Sequence, residues 1–376
     1  MSDSVQLAAT PPLTEGSPTP LSAHLLTANS GISLQVHAGS QTPRHFGDAS
    51  SEFRALTNTV AVYDLGYRTR IAVTGPDSLR WLNGMVSNAI QTLPEGHGNY
   101  SLILNAQGRI QGDAYIYRAA DDRLLLDTDR SQAAHLLAHL DHFIIMDDVE
   151  LRDLDASTTA IGVAGPNAAS FLTAMGLDVA DLEPLQFAPA SIGGAELTLV
   201  HGYSVLVPRY ELWFEPRHAA AIWDALTAAG AQPAGVEAVE SLRIFEGTPR
   251  YGVDITERLL PQEVNQPRAL NFNKGCYLGQ EIVERIRSRA TIHRRLAHFA
   301  LEGSLPAAGT ELRAPGENGA QAQKAAELTS VASYSQPGLP SMIAMGLARV
   351  EALERKLPLE YDGGAATPLD KPPSIP

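Results

Sequence analysis

Residues 73–82 read VTGPDSLRWL and residues 163–172 read VAGPNAASFL, one pattern given twice at an offset of 90 residues. In each copy a strand-like run enters Gly-Pro, and an apolar pair, Trp81-Leu82 or Phe171-Leu172, follows. Glycine reaches turn conformations that other residues avoid, and proline suits the first helical position because the N–H it lacks would have no partner there. Each copy therefore reads as a strand, a tight turn and a helix starting just past the proline. Alternating segments come next, Tyr100–Asn105 and Asp113–Tyr117 after the first copy, Leu197–Val200 and Glu211–Phe214 after the second, with the period of half-buried strands. Because order and motif both repeat, the fold class is α+β, with two related modules of about 45–150 and 151–290 in a body spanning 23–290.

Beyond residue 290 the pattern changes. Leu296–Leu301, Glu327–Tyr334 and Met342–Val350 read as strands around a Pro/Gly-rich stretch, Leu305–Gly319, which predicts a small all-β domain over 291–360. The Pro/Ser/Thr-rich residues 1–22 and the proline-rich 361–376 read as tails. Within the body, Ser131–Met146 reads as a helix with Ser131 as N-cap and Leu136, Leu140, Phe143 and Ile144 on its apolar face. It puts His135, His139 and His142 on one side, but with no neighbouring carboxylate or cysteine to complete a site this is a polar face, and no metal is expected. A second helix, about Val236–Glu246, buries Val236, Val239, Leu242 and Phe245, and its Glu240 and Arg243 stand three apart as a surface pair.

The 376 residues carry 28 Lys+Arg against 42 Asp+Glu, a net charge of −14, which disfavours nucleic acid and anionic membrane as partners. Hydrophobic residues at 44% and charged residues at 19% exclude a wholly disordered chain. A single cysteine, Cys276, excludes an intrachain disulfide and a self-contained cysteine cage. No apolar run reaches the roughly 18 residues of a membrane span, and the first residues lack the basic start and apolar core of a signal peptide, so a cytoplasmic monomer is expected. Walker, GxGxxG, HExxH and GxSxG motifs are all missing.

Residues 273–295, NKGCYLGQEIVERIRSRATIHRR, concentrate the remaining chemistry. Gly275 and Gly279 bracket a turn that presents Cys276 and Tyr277, with Gln280 and Glu281 opening the next helix. Lys274 and the following arginines favour a thiolate, which makes Cys276 either a reactive group, a ligand shared with a partner or a small buried hydrophobe. Arg285, Arg287 and Arg289 alternate. An extended chain would align them as a stripe for a polyanionic tail or a charged strand edge, whereas a helix would scatter them.

The segment KGCYLGQE at 274–281, with SRATIHRR after it, resembles the signature of the YgfZ-type folate-binding proteins, in the superfamily of the glycine-cleavage T-protein (aminomethyltransferase). FRALTNTVAVYDL, VTGPDSLRWLNGMVSNAI, GHGNYSLILNAQGRIQGD, SLRIFEGTPRYGVDI and ELTSVASYSQPGLPSMIAMGLARV are similar to family blocks in the same order, from His45 to Val350. The resemblance implies a T-protein-like body around a central channel and a C-terminal β-barrel, with tetrahydrofolate as cofactor.

By the same resemblance Glu211 holds the pterin, where a carboxylate accepts from an N–H and an amino group side by side. Arg243, Tyr100 and Asn105 fall near folate, and Lys274, Gln280, Arg285 and Arg287 are expected around its remainder. Cys276 and Asp113 are the expected reactive groups, Lys274 lowering the thiol's pKa. Where the T-protein has an acidic pair this chain has Gly112-Asp113, and the turn before the pterin glutamate is altered to YSVLVPRYE. The function expected is folate binding in iron–sulfur cluster assembly or repair, with iron–sulfur client or assembly proteins as partners and only an indirect effect on tRNA modification. The alternative is a folate-dependent one-carbon transferase with Asp113 as its acid/base.

Overall fold

The computed structural model describes residues 16–29, 31–289, 292–315, 322–333, 340–356 and 358–374. The repeat becomes two sheets of the same connectivity. In the first, strand Arg68–Thr74 and helix Ser78–Met85 lead to strands Gly98–Leu104, Ile110–Ala120 and Arg123–Asp129 and helix Arg130–Asp141. In the second, strand Thr159–Ala164 and helix Ala168–Ala174 lead to Phe187–Ile192, Ala195–His201 and Arg209–Phe214 and helix Ala219–Ala228. Both sheets run in the spatial order second, third, fourth, first for the four strands common to them, and each then adds a further antiparallel strand beside the first.

The Gly-Pro turns explain the repeat. Gly75 has φ +115°, and a Cβ there would stand 2.2 Å from the Asp148 carbonyl oxygen; Gly165 has φ +131° and its Cβ would stand 2.4 Å from that of Thr59. In each module the turn passes under the backbone that enters the added strand, Glu150–Asp153 in the first and Ala61–Asp64 in the second. Only glycine meets both the left-handed φ and the close approach.

This pairing corrects the expected boundaries, because Ala61–Asp64 lies within the expected first module yet joins the sheet of the second, while Glu150–Asp153, at the expected boundary, joins the sheet of the first. The modules therefore exchange a strand rather than meet at residue 150. The predicted 1–22 tail is also too long. Ser17–Pro18 pairs in parallel with Ser40–Gln41, and Thr19, Leu21 and Ser22 are buried, Thr19 Oγ1 donating to the buried Asp64 carboxylate at 2.5 Å; residues 1–15 lie outside the described residues. Asp129 rather than Ser131 is the N-cap of the helix that follows it, and that helix ends at Asp141.

The C-terminal domain is a closed six-stranded barrel, Arg294–Gly303, Met342–Arg349, Gln323–Ser333, Glu311–Ala314, Leu359–Tyr361 and Gly364–Leu369 in circular order. The last two strands fall partly or wholly in the predicted 361–376 tail. Gly364–Leu369 pairs with Arg294–Gly303 and closes the ring, so no edge is left open. Helix Val236–Phe245 packs against helix Ala49–Asn58 and reaches the barrel strands, joining body and barrel.

Substituting Gly75 or Gly165 by alanine adds a Cβ where the φ is strained and a carbonyl lies within contact distance. We expect each change to cost about 2–4 kcal/mol, read as a lower denaturant midpoint with an unchanged slope.

Candidate functional site

A cavity lies between the two sheets and is closed by helix Val236–Phe245, residues 248–251 and the hairpin that carries His37. Strand alternation sets its chemistry. Along Ile110–Ala120, Asp113, Tyr115 and Tyr117 share the cavity face, while Gly112 faces helix Arg130–Asp141, where a Cβ would meet Leu136 at 2.7 Å. The position at which this chain lacks a second carboxylate therefore points away from the cavity. From the second sheet come Tyr63, Arg209 and Glu211. Gly162 pairs with both Tyr63 and Glu211 across the sheet, and its missing Cβ, which would stand 2.2 Å from the Tyr63 ring, lets that ring lie across the strand. Gly98 opposite Tyr117 does the same in the first sheet, its Cβ position lying 2.5 Å from the ring.

Asp113 is held at both oxygens, accepting from Tyr100 Oη at 2.6 Å and from Gln132 Nε2 at 2.9 Å. Burial and the Asp113 charge push the Tyr100 hydroxyl well above the ordinary range, which keeps it a donor. Tyr100 and Tyr115 pack with ring centroids 5.1 Å apart. The Arg268 guanidinium lies 4.3 Å from the Tyr100 ring centre and 3.8 Å from that of Tyr203, and it donates to Tyr115 Oη at 3.2 Å. Arg268 is thus a cation on the aromatic wall, and no motif or spacing along the chain singles it out.

Glu211 accepts from Trp213 Nε1 at 2.8 Å. Burial raises its carboxyl pKa, and the charge of Asp127 adds to this against the pull of Arg68 and Arg70. Tyr63 Oη is buried without a hydrogen-bond partner among the described residues, and burial pushes its hydroxyl up to about 12. Glu211 and Tyr63 thus offer an acceptor and an unused donor on the two strands that flank Thr159–Ala164, which suits a ligand that presents both kinds of group.

Arg243 is not the surface residue expected. It is buried, and it donates to Glu240 at 3.0 Å, the Thr248 carbonyl at 2.7 Å, Asp254 at 2.7 Å and Ser330 Oγ of the barrel at 3.1 Å. Burial alone would raise the Glu240 carboxyl, but Arg243 and Arg250 hold it at about 2. Burial takes His37 down to about 3, so it meets Arg250 Nη1, 2.7 Å from its Nδ1, as a neutral imidazole.

Tyr100, Asp113, Glu211 and Arg243 therefore share one cavity, and the other residues singled out from sequence do not line it. Asn105 turns its side-chain oxygen back on the amides of Gln107 and Arg109, both at 3.0 Å, and lines an outer recess. Lys274 is directed at backbone, its Nζ donating to the carbonyls of Asn83, Val86 and Asn88, each at 2.6 Å. Cys276 is exposed, Tyr277 is buried, and Gln280 accepts from the Tyr277 amide at 3.1 Å. Gln280–Arg289 is helical, so the arginine stripe does not form: Arg285 is exposed, and Arg287 lies 4.1 Å from the Phe272 ring centre and 3.6 Å from Glu284. His139 bonds the Leu104 carbonyl at 3.0 Å, and no group of three metal-ligating side chains is found among the described residues.

Residues 24–274 match the family model described as the GCVT N-terminal domain. The chain belongs to the GCVT (aminomethyltransferase) family. It is 30% identical over 293 residues to an aminomethyltransferase of Thermus thermophilus, covering 77% of this chain and 82% of the relative. It is 26% identical over 353 residues to one of Geobacillus kaustophilus, covering 89% and 92%. In fold it is similar to the glycine cleavage system aminomethyltransferase T of Bartonella henselae, with a TM-score of 0.81 at 20% identity over 94% of this chain and 97% of that one. The α+β body and the terminal barrel expected from sequence are thus those of the family. No described helix is long and apolar enough to cross a membrane.

Replacing Lys274 by methionine leaves three carbonyls without their donor. We expect a loss of about 2–4 kcal/mol, whereas Cys276→Ala, at an exposed site, changes stability by less than about 0.5 kcal/mol; chemical denaturation of both variants checks this.

Proposed function

We propose that the protein binds a reduced folate in the tyrosine-lined cavity and uses it in one-carbon transfer, as an aminomethyltransferase-like enzyme. The observation that carries the reading is the convergence of Glu211, the unpartnered Tyr63 hydroxyl and the Tyr100–Asp113 pair on one aromatic cavity. Such a cavity fits a flat ring with a polar edge: tyrosines pack its faces, and a carboxylate takes the adjacent N–H and amino donors of a pterin. Tetrahydrofolate, when bound, supplies nitrogens that carry a one-carbon unit.

The chain's own residues supply the rest. Glu211 orients the ring edge and Tyr63 donates to an acceptor beside it. Asp113, an acceptor held by Tyr100 and Gln132, is the carboxylate available to take or return a proton during transfer. The exchange of the family's acidic pair for Gly112-Asp113 leaves this role intact, since residue 112 faces the helix. A role in iron–sulfur cluster assembly rests on the YgfZ-like signature and has one point in its favour, that a partner protein can reach the exposed Cys276 thiol; unchanged cluster-enzyme activity in a Cys276→Ala strain would exclude it.

Calorimetric titration with tetrahydrofolate tests the main reading. We expect binding by the native chain, a loss of about tenfold to a hundredfold in affinity for Glu211→Gln, corresponding to one or two charge-assisted hydrogen bonds, and near-native binding with slowed formation of methylene-tetrahydrofolate from an aminomethyl donor for Asp113→Asn. No binding by the native chain overturns the reading.

The pH dependence follows from Glu211. Its pKa in the free protein lies above the ordinary value, and only the ionised form accepts both donors. Affinity is therefore full above that raised pKa and falls as pH drops through it, a fall that begins at higher pH than for an exposed glutamate. In Glu211→Gln the same titration should be flat.

A further inference from the structure

The facing surfaces of the two sheets run on past the cavity into a second opening. Along strand Arg68–Thr74, Arg68 lines the cavity, and Arg70, two residues on and therefore on the same face, lines a groove of about 1480 Å³. Along strand Arg209–Phe214, Glu211 and Trp213 divide in the same way, and groove and cavity share no lining residue. The wall between them comes from both sheets: the Arg70 guanidinium lies 4.4 Å from the Trp213 ring centre, and Trp213 Nε1 donates to Glu211 at 2.8 Å.

Arg70 is 1% exposed, and none of its nitrogens makes a hydrogen bond among the described residues. Its Nε stands 3.2 Å from Asp127 Oδ1, an ion pair that leaves both terminal nitrogens without an acceptor. A buried guanidinium in that state costs free energy until an acceptor arrives, and a carboxylate, whose two oxygens match the fork, fits it best. The exposed residues of the groove carry the opposite charge. Asp178, Asp181 and Glu196 have no cationic partner among the described residues, whereas Glu215 is taken by Arg217 at 2.9 Å, and Arg123 is the groove's other cation. The groove thus asks for an anion at its buried end and for cations outside it. A simple anion is repelled by the acids and a polyamine by Arg70. A peptide carboxyl terminus with basic residues before it presents both charges in that order, and the groove has room for several residues. Strand addition is not the means of binding: Phe187–Ile192 is the edge strand at this groove, but Pro189 within it has no N–H to offer a further strand.

We propose that this groove binds the free C-terminus of a basic peptide, its carboxylate on Arg70 and its lysine or arginine side chains on Asp178, Asp181 and Glu196. The site is separate from the cavity but shares its wall. Arg70 is one of the two cations whose charge favours ionised Glu211, and a carboxylate laid on Arg70 offsets that charge. The peptide therefore weakens folate binding, and by reciprocity folate weakens peptide binding. That coupling rests on the folate reading, whereas the peptide site does not.

Calorimetry with three peptides tests the site: acetyl-Gly-Lys-Lys-Gly with a free carboxylate, the same peptide as its C-terminal amide, and acetyl-Gly-Glu-Glu-Gly with a free carboxylate. The native chain should bind the first at least about tenfold more tightly than the amide, as expected for a charge-assisted pair at a buried arginine, and should bind the glutamate peptide least. An Asp178→Asn/Glu196→Gln double variant should lose about threefold to tenfold for the first peptide, the scale of two exposed ion pairs, while keeping the native denaturant midpoint. Equal binding of acid and amide, tighter binding of the glutamate peptide, native affinity in the double variant, or no binding of any peptide, which leaves Arg70 to water, overturns the proposal. With the first peptide at saturation, affinity for tetrahydrofolate should fall by about fivefold, and an unchanged or raised affinity overturns the coupling. A native chain that binds no tetrahydrofolate overturns the folate reading, while the three-peptide comparison still decides the site.

Discussion

The Arg243 guanidinium is the joint on which this molecule turns. It leaves a helix of the body, closes the cavity beside Glu240, caps the Thr248 carbonyl and meets Asp254, which in turn accepts from Thr329 and Ser330 of the barrel. An arginine taken out of water is tolerable only when its donors are met, and losing one partner of such a group typically costs about 3–5 kcal/mol. The same bonds that satisfy Arg243 therefore fix the barrel against the body and hold the cavity's closing segment in place. The third domain is part of the architecture of the site, not an appendage to it.

The cavity has a second constraint, which is steric. Two glycines that make no turn, Gly98 and Gly162, sit opposite Tyr117 and Tyr63 and give the rings their room. The two sheets thus meet across aromatic rings packed into the gaps left by missing side chains, and the polar groups among them are met by other side chains or, as at Tyr63 Oη and Arg70, left for something else to satisfy. Arg70 is buried over Trp213 with no hydrogen bond at any of its nitrogens among the described residues, 3.2 Å from Asp127. A cluster of Arg68, Arg70, Asp127, Asp129 and Glu211 so close to neutrality keeps the interior polar without a large net field, and the raised pKa of Glu211 comes from burial, with Asp127 adding to it and Arg68 and Arg70 opposing it.

Much of this was legible along the chain. VTGP and VAGP announced the repeat because a strand that must turn under a neighbouring backbone leaves a glycine of fixed φ, and that requirement is local. Asp113 and Glu211 were legible through their place in alternating strands and through resemblance. Tyr63 and Arg268 were not, since a tyrosine in AVYDL and an arginine in NQPRAL look like any core or loop residue until Gly162 and the tyrosine wall are set beside them. The run at 285–289 misled for the opposite reason: alternating arginines suit a stripe only in an extended chain, and Gly279, at φ +81° against the Asn105 carbonyl, instead starts a helix. Lys274 was singled out as the neighbour of a thiol, but three carbonyls outcompete that role because each can accept from an ammonium directly.

What the sequence determined by itself was the alternation of its elements, the duplication of its core unit and the residue types at the cavity, since periodicity and glycine geometry act within a few residues. Tertiary structure alone decided that Ala61–Asp64 crosses to the other module's sheet, that Gly364–Leu369 closes the barrel, and that Arg243 is buried and shared. Those outcomes depend on which surfaces pack and which charges lose water together, and no stretch of chain read in isolation contains that information.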